Sequence, residues 1–230
     1  MSSVLVTGSS RGIGLEWCRQ YAAASWRVFA TCRHPATADA LRDLAQAHPR
    51  LSVHRLDVTD PESVYALRAE LQDEAIDVLV NNAGVYLEKH APTAALRYDE
   101  WLRTLAVNTL GPVRMTEALA EPVARSRRRL VVALSSHMGS IADIVTPGET
   151  AYRSSKAALN AAMKGLSIAL GERGVGVLLL HPGWVKTRMG GPDAPLTPAD
   201  SVAAMRALVE AFRMDMSGRF FRYDGTEIPW

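Results

Sequence analysis

Seven short apolar runs alternate with six helical stretches along this chain, and the first run ends in a turn carrying three glycines. Residues 3–7, 27–31, 51–56, 76–80, 130–134, 175–180 and 219–223 read as strands. Helical patterns follow the glycine turn to about 24 and cover 38–47, 61–73, 98–124, 150–170 and 198–212. Such alternation predicts a doubly wound α/β fold, a seven-stranded parallel sheet with helices on both faces. The runs are continuously apolar, as strands covered on both sides should be. Asp60-Pro61 and Thr197-Pro198 pair a capping residue with proline at the first helical position. Gly111-Pro112 predicts a kink inside the long helical stretch. With 230 residues and no linker or repeat, one domain spanning 1–230 is expected.

The turn reads Thr7-Gly8-Ser9-Ser10-Arg11-Gly12-Ile13-Gly14 and lies between the first strand and the first helix. A dinucleotide site needs this context: a tight turn, backbone close to a pyrophosphate, and a helix N-terminus aimed at the anion. The end of the second strand decides which dinucleotide. An acidic residue there would suit a ribose without the 2′-phosphate. This chain has Thr31-Cys32-Arg33 instead. Arg33 and Arg11 are placed to hold a 2′-phosphate through charge-assisted bonds, so NADP(H) is expected over NAD(H).

Tyr152 and Lys156 stand four residues apart on a predicted helix and therefore share a face. An ammonium beside a phenol favours the phenolate, which would lower the Tyr152 pKa toward the range useful for proton transfer. The remaining composition is unremarkable for a globular protein. The charge of +2 gives no reason to expect nucleic acid or an anionic membrane, and Arg125, Arg127, Arg128 and Arg129 read as a solvated helix end. Cys18 and Cys32 read as small buried hydrophobes, and no spacing suggests a metal. No basic or apolar leader precedes the first strand, so a cytoplasmic protein is expected.

Taken together, these residues resemble the short-chain dehydrogenase/reductase family over essentially the whole chain. The carrying elements stand in family order. They are the turn from Thr7 to Gly14, Asp57-Val58, Asn81-Asn82-Ala83-Gly84, Asn108, Ser135-Ser136, Tyr152 with Lys156, and Pro182-Gly183 with Thr187. The ending suggests the C-factor-like and carbonyl-reductase-like members. The resemblance implies cofactor contacts from Gly8, Ser10, Arg11, Gly12, Ile13, Gly14 and Arg33. It implies that Asp57 and Val58 meet the adenine, and that Asn82, Ala83 and Gly84 line the ribose and nicotinamide side. Pro182, Gly183, Val185 and Thr187 would hold the carboxamide, and Lys156 the ribose. It also implies a catalytic set of Asn108, Ser136, Tyr152 and Lys156, with Asn108 anchoring a water that leads from Lys156 to solvent. Alternation along a strand lets only one of Ser135 and Ser136 face the site. The family pattern favours Ser136, and Ser140 is a third candidate. The stretch from Ser136 to Tyr152 is three residues longer than the commonest family spacing.

The activity so implied is NADPH-dependent interconversion of a ketone or aldehyde and an alcohol. A dinucleotide-binding regulator of the same fold is the main alternative, and a sugar-nucleotide epimerase or dehydratase a more distant one. Candidate substrate-pocket residues are Tyr86, His90, His137, Met138, Ile144, Trp184, Arg188 and Met189, a mostly apolar set. The short segment 183–198 suggests little lid and broad acceptance. Family habit implies a homodimer or homotetramer, with Leu102, Leu105, Leu110, Leu159, Met163 and Leu166 serving either that interface or the core.

Overall fold

The structure is a computed structural model, and it describes residues 1–88 and 96–230. Among these, seven parallel strands form one sheet. They are β1 (Ser3–Val6), β2 (Arg27–Cys32), β3 (Leu51–Arg55), β4 (Val78–Asn81), β5 (Leu130–Leu134), β6 (Gly176–His181) and β7 (Arg219–Arg222). Their order is β3-β2-β1-β4-β5-β6-β7. The helices are α1 (Gly12–Ala23), α2 (Asp39–Ala47), α3 (Pro61–Glu70), α4 (Tyr98–Leu105), α5 (Gly111–Ala118), α6 (Ala120–Ala124), α7 (Thr150–Gly171) and α8 (Pro198–Glu210).

Strand alternation divides the core in two. The register row Ala30, Val6, Val80, Val132, Leu178 faces Trp17 and Tyr21 of α1, Leu41 of α2, and Val202 and Met205 of α8. The next row, Phe29, Leu5, Leu79, Val131, Val177, faces Val64 and Leu67 of α3, Met115 of α5, and Leu159 and Met163 of α7. Helices thus cover both faces, which is why the strands lack polar alternation. The caps form as the sequence suggests. Asp60 accepts from the Glu62 N–H at 3.1 Å and Thr197 from the Asp200 N–H at 3.1 Å.

Most element boundaries fall within about three residues of the sequence reading, and three of the departures have an evident cause. First, β1 stops at Val6, because the Thr7 hydroxyl accepts from the N–H groups of Asn82 and Ala83. Second, β4 starts at Val78 and extends to Asn81. The preceding Asp77 is consumed as a staple, taking the Ser3 N–H on one oxygen and those of Arg127 and Arg128 on the other. Third, the expected single helix over 98–124 is four pieces. A π-helical turn, Ala106–Leu110, stands just before the anticipated kink, and the chain breaks again at Leu119. Proline brings no N–H to the ladder, and a Cβ on Gly111 would come within 2.8 Å of Val58 Cγ2, so backbone and turn are pressed together there.

Strand order reverses between β1 and β4, each of which leads into a turn at its carboxyl end. In such sheets the crevice for a ligand opens at that switch point.

Candidate active site

The glycine turn closes on the segment after β4. Gly8 and Gly12 have φ of 70° and 57°, in the left-handed region that favours glycine. A Cβ on Gly14 would stand 2.3 Å from the Gly8 carbonyl oxygen. The Asn82 amide donates to the carbonyls of Thr7 at 2.7 Å and Gly8 at 3.2 Å. Its side chain therefore braces the turn. Arg11, directly before α1, makes no side-chain cap, and no acidic residue sits in the first turn. The helix N-terminus keeps its positive character. Arg11 and Arg33 are exposed at this end. Ser10 and Ile13 lie within the turn and are partly buried. Asp57 keeps its negative charge. Burial acts to raise its carboxyl, but bonds from Thr59 and the charges of Arg33 and Arg55 outweigh it and hold it below the usual range.

At the far side of the crevice, Tyr152 is 8% and Lys156 5% exposed, both on one face of α7. The Tyr152 hydroxyl is hydrogen-bonded to Ser136. The adjacent Ser135 points away and donates to Asn160 Oδ1, while Ser140 donates to the Trp230 carbonyl and accepts from the Asp143 N–H. Of the three serines, only Ser136 meets Tyr152. Burial pushes the Tyr152 phenol up to about 12, with the bond to Ser136 offsetting part of the rise. Burial also brings Lys156 down to about 8. The expected lowering of the tyrosine by the lysine is corrected here. The ammonium lies 5.8 Å from the Tyr152 ring centroid and spends a 2.8 Å bond on the Leu134 carbonyl. Desolvation of the phenolate outweighs a cation at that distance. Tyr152 is therefore protonated near neutral pH, the form a proton donor needs.

Asn108 is fully buried in the π turn. Its Oδ1 accepts from the Val85 N–H at 2.8 Å, and its Nδ2 donates to the Val85 carbonyl at 2.9 Å and to Ser155 Oγ at 3.0 Å. The side chain pins the segment after β4 to α7. A Cβ on Gly84 would meet both Asn108 Oδ1 (3.4 Å) and Lys156 Nζ (3.8 Å), so the three residues converge.

The loop after β6 closes the crevice. Gly183 has φ 85°, and a Cβ there would press on the Tyr223 ring at 2.9 Å. Pro182 takes the Ser201 hydroxyl on its carbonyl at 2.6 Å, and Val185 is buried. Thr187 stands over the glycine turn, its Cγ2 3.3 Å from where a Gly12 Cβ would be. Trp184 is 57% exposed and donates its indole N–H to the Gly190 carbonyl, while Arg188 and Met189 are exposed on the same loop. His137 pairs with Asp143 at 2.6 Å. Met138 and Ile144 line a groove of about 530 Å³ with Thr150, Arg153 and Ala157, on a face of α7 that does not include Tyr152. His90 lies outside the described residues.

The sequence reading missed three residues at the site. Glu88 Oε1 accepts the Tyr152 backbone N–H at 2.7 Å, across 64 residues. Glu149, before α7, bonds to the Tyr86 hydroxyl. His181 stands directly before Pro182, and burial, with His137 and Arg222, lowers it to about 4. Adjacency to a helix start and to the Pro-Gly pair was the available cue for the last two.

A glycine turn under a positive helix end, two exposed arginines and an ionised carboxylate form a cradle that fits a phosphate-bearing dinucleotide. Beside it stands a buried Tyr-Ser-Lys group equipped for proton transfer. This is the design of a dinucleotide-dependent oxidoreductase. Residues 2–195 match the short chain dehydrogenase family, and the chain belongs to it. It is 44% identical to the C-signal protein of Myxococcus xanthus over 155 residues, 67% of this chain and 93% of that protein. It superposes on the carbonyl reductase Sniffer of D. melanogaster with a TM-score of 0.93 at 35% identity, covering 100% of both chains. An NADPH-bound carbonyl reductase from chicken fatty liver gives a TM-score of 0.93 at 32% identity, covering 100% of this chain and 99% of that one.

Proposed function

We propose that the protein is an NADPH-dependent carbonyl reductase in which Tyr152 donates the proton. The observation that carries this reading is the buried, hydrogen-bonded Tyr152–Ser136 pair beside Lys156, across the switch point from the glycine turn. NADPH, when bound, supplies the hydride that reaches the carbonyl carbon. Gly8, Gly12 and Gly14 would let the backbone approach its pyrophosphate, and Arg11 and Arg33 would pair with the 2′-phosphate. Asp57 and Val58 would meet the adenine, and Ala83, Gly84, Val185 and Thr187 the far end.

Ser136 Oγ donates to the carbonyl oxygen and stabilises charge as it develops there. Tyr152 gives that oxygen its hydroxyl proton and is left as phenolate. Lys156, its ammonium 5.8 Å from the Tyr152 ring centroid, would stand as the nearby positive group that stabilises this phenolate until a proton returns. Asn108 keeps the segment after β4 fixed against α7 while this happens. Alcohol oxidation reverses the same steps. Exposed Trp184 and Met189 favour a neutral apolar ketone or aldehyde. The regulatory alternative is not favoured, because the whole proton-transfer set is present and buried.

We further take the chain as one dinucleotide-binding domain in a cytoplasmic homodimer or homotetramer. Among the described residues no helix is long and apolar enough to cross a membrane, and both cysteines are free and buried. Leu102 and Leu110 leave apolar surface exposed on α4 and the π turn, whereas Leu159 and Met163 are spent in the core.

The test is NADPH consumption by wild type and Tyr152→Phe against aldehydes, ketones and diketones, repeated with NADH. Loss of about 10²–10⁴ in kcat with NADPH binding intact is expected, the range of a lost general acid. Faster turnover with NADPH than NADH would support the arginine pair. A wild type that binds NADPH yet neither reduces a carbonyl nor oxidises the matching alcohols would overturn the reading.

A further inference from the structure

The first turn of α7 is gripped by the chain that follows β4. Tyr86 lays its ring almost parallel to that of Tyr152, with centroids 4.3 Å apart and planes at 22°. Its hydroxyl bonds to the Glu149 carboxylate. Glu149 is the N-cap residue of α7, and its φ of 50° is a left-handed conformation that a non-glycine residue adopts at a cost.

An N-cap side chain ordinarily turns inward to accept an N–H of the first turn. Glu149 makes no such bond. Glu88 supplies it from outside, accepting the N–H of Tyr152 itself. With the cap provided by Glu88, the Glu149 carboxylate is free to anchor Tyr86. A ring on the phenol, a carboxylate holding that ring, and a second carboxylate on the phenol's own backbone therefore converge on one residue. Tyr86 is only half-buried and lies in a loop rather than in either core cluster. Hydrophobic burial alone does not account for its placement.

We propose that Tyr86, anchored by Glu149, is a positioning residue that fixes the plane of the Tyr152 phenol toward Ser136 and the substrate oxygen. The proposal rests on the reading of Tyr152 as proton donor. A stacked ring leaves its partner the motion within its own plane and blocks the flip out of it, so the hydroxyl stays on the arc that Ser136 reaches. Misplacement of a reacting group by about 1 Å costs on the order of 10²-fold in rate.

Steady-state kinetics of Tyr86→Ala, Tyr86→Phe, Tyr152→Phe and the double variant Tyr86→Ala/Tyr152→Phe test this, with NADPH affinity measured by fluorescence. Tyr86→Ala should lower kcat by about 10- to 100-fold while NADPH affinity stays within about twofold. Tyr86→Phe keeps the ring and should recover most of the loss. In the Tyr152→Phe background Tyr86→Ala should cost no more than about twofold, because no hydroxyl remains to be positioned. Undiminished kcat in Tyr86→Ala, or losses that multiply in the double variant, would refute the positioning role and leave the proton donor standing. Full activity in Tyr152→Phe would remove the proton donor and the positioning role with it. Should Tyr86→Ala fail to fold, Glu149→Ala carries the test. A lowered kcat with intact NADPH affinity supports the anchor, and an unchanged kcat overturns it.

Discussion

Lys156 shows what a single residue undergoes when a chain buries it. Its ordinary pKa of 10.5 falls to about 8 because desolvation disfavours the ammonium. The unfolded chain therefore holds more proton than the folded one between about pH 8 and 10.5. Raising the pH through that window stabilises the folded state, since stability rises wherever the unfolded state binds more protons. Lys156→Met lacks this term. The stability of wild type relative to Lys156→Met should be flat below about pH 8 and should grow from there to about 10.5. Urea unfolding of both proteins across that range checks it, and a constant difference would show that the ammonium is not buried as described. That Tyr152 and Lys156 share one face of α7 was legible from their spacing of four, and the choice of Ser136 as the serine beside Tyr152 from strand alternation with the family pattern. The direction of the Tyr152 shift was not legible, because it depends on burial, and spacing says nothing of burial.

At the scale of elements, the sequence marked a disturbance in the long helix at Gly111-Pro112, and the disturbance proved to be a π turn ending just before it. That turn carries Asn108 inward, where it takes up the Val85 backbone and Ser155. Asn108→Ala would leave the partly buried N–H and carbonyl of Val85 without this partner, at up to about 1–3 kcal/mol for each group. We expect a lower urea midpoint together with a reduced kcat, since the segment after β4 also carries Tyr86 and Glu88. A variant with unchanged stability and reduced kcat would instead favour a role for Asn108 in proton supply. The starts of α3 and α8 were readable from a capping residue followed by proline. The partition of 98–124 into pieces was not, since it follows from the approach of Gly111 to Val58, a contact between distant parts of the chain.

For the whole molecule, one sheet with two apolar layers sets both stability and site. Leu159 is fully buried one turn beyond Lys156, against the sheet face of Leu79 and Val131. Leu159→Ala should cost about 2–5 kcal/mol through the transfer and cavity terms. Thermal and urea unfolding would show it, and a loss under about 1 kcal/mol would mean that α7 packs less tightly than the structure has it. The alternation of apolar runs and helical stretches determined the parallel sheet, since period and length leave few other arrangements for covered strands. The glycine turn and the Tyr-x-x-x-Lys spacing marked where the site lies, because each is a local pattern. Tertiary structure alone decided that Asn82 braces the turn, that Asn108 pins Val85, and that Glu88 and Glu149 with Tyr86 hold the first turn of α7. The physical reason is common to all of these. Each is a contact across many residues of sequence, set by which strand ends the sheet order brings side by side, and no local pattern encodes such a meeting.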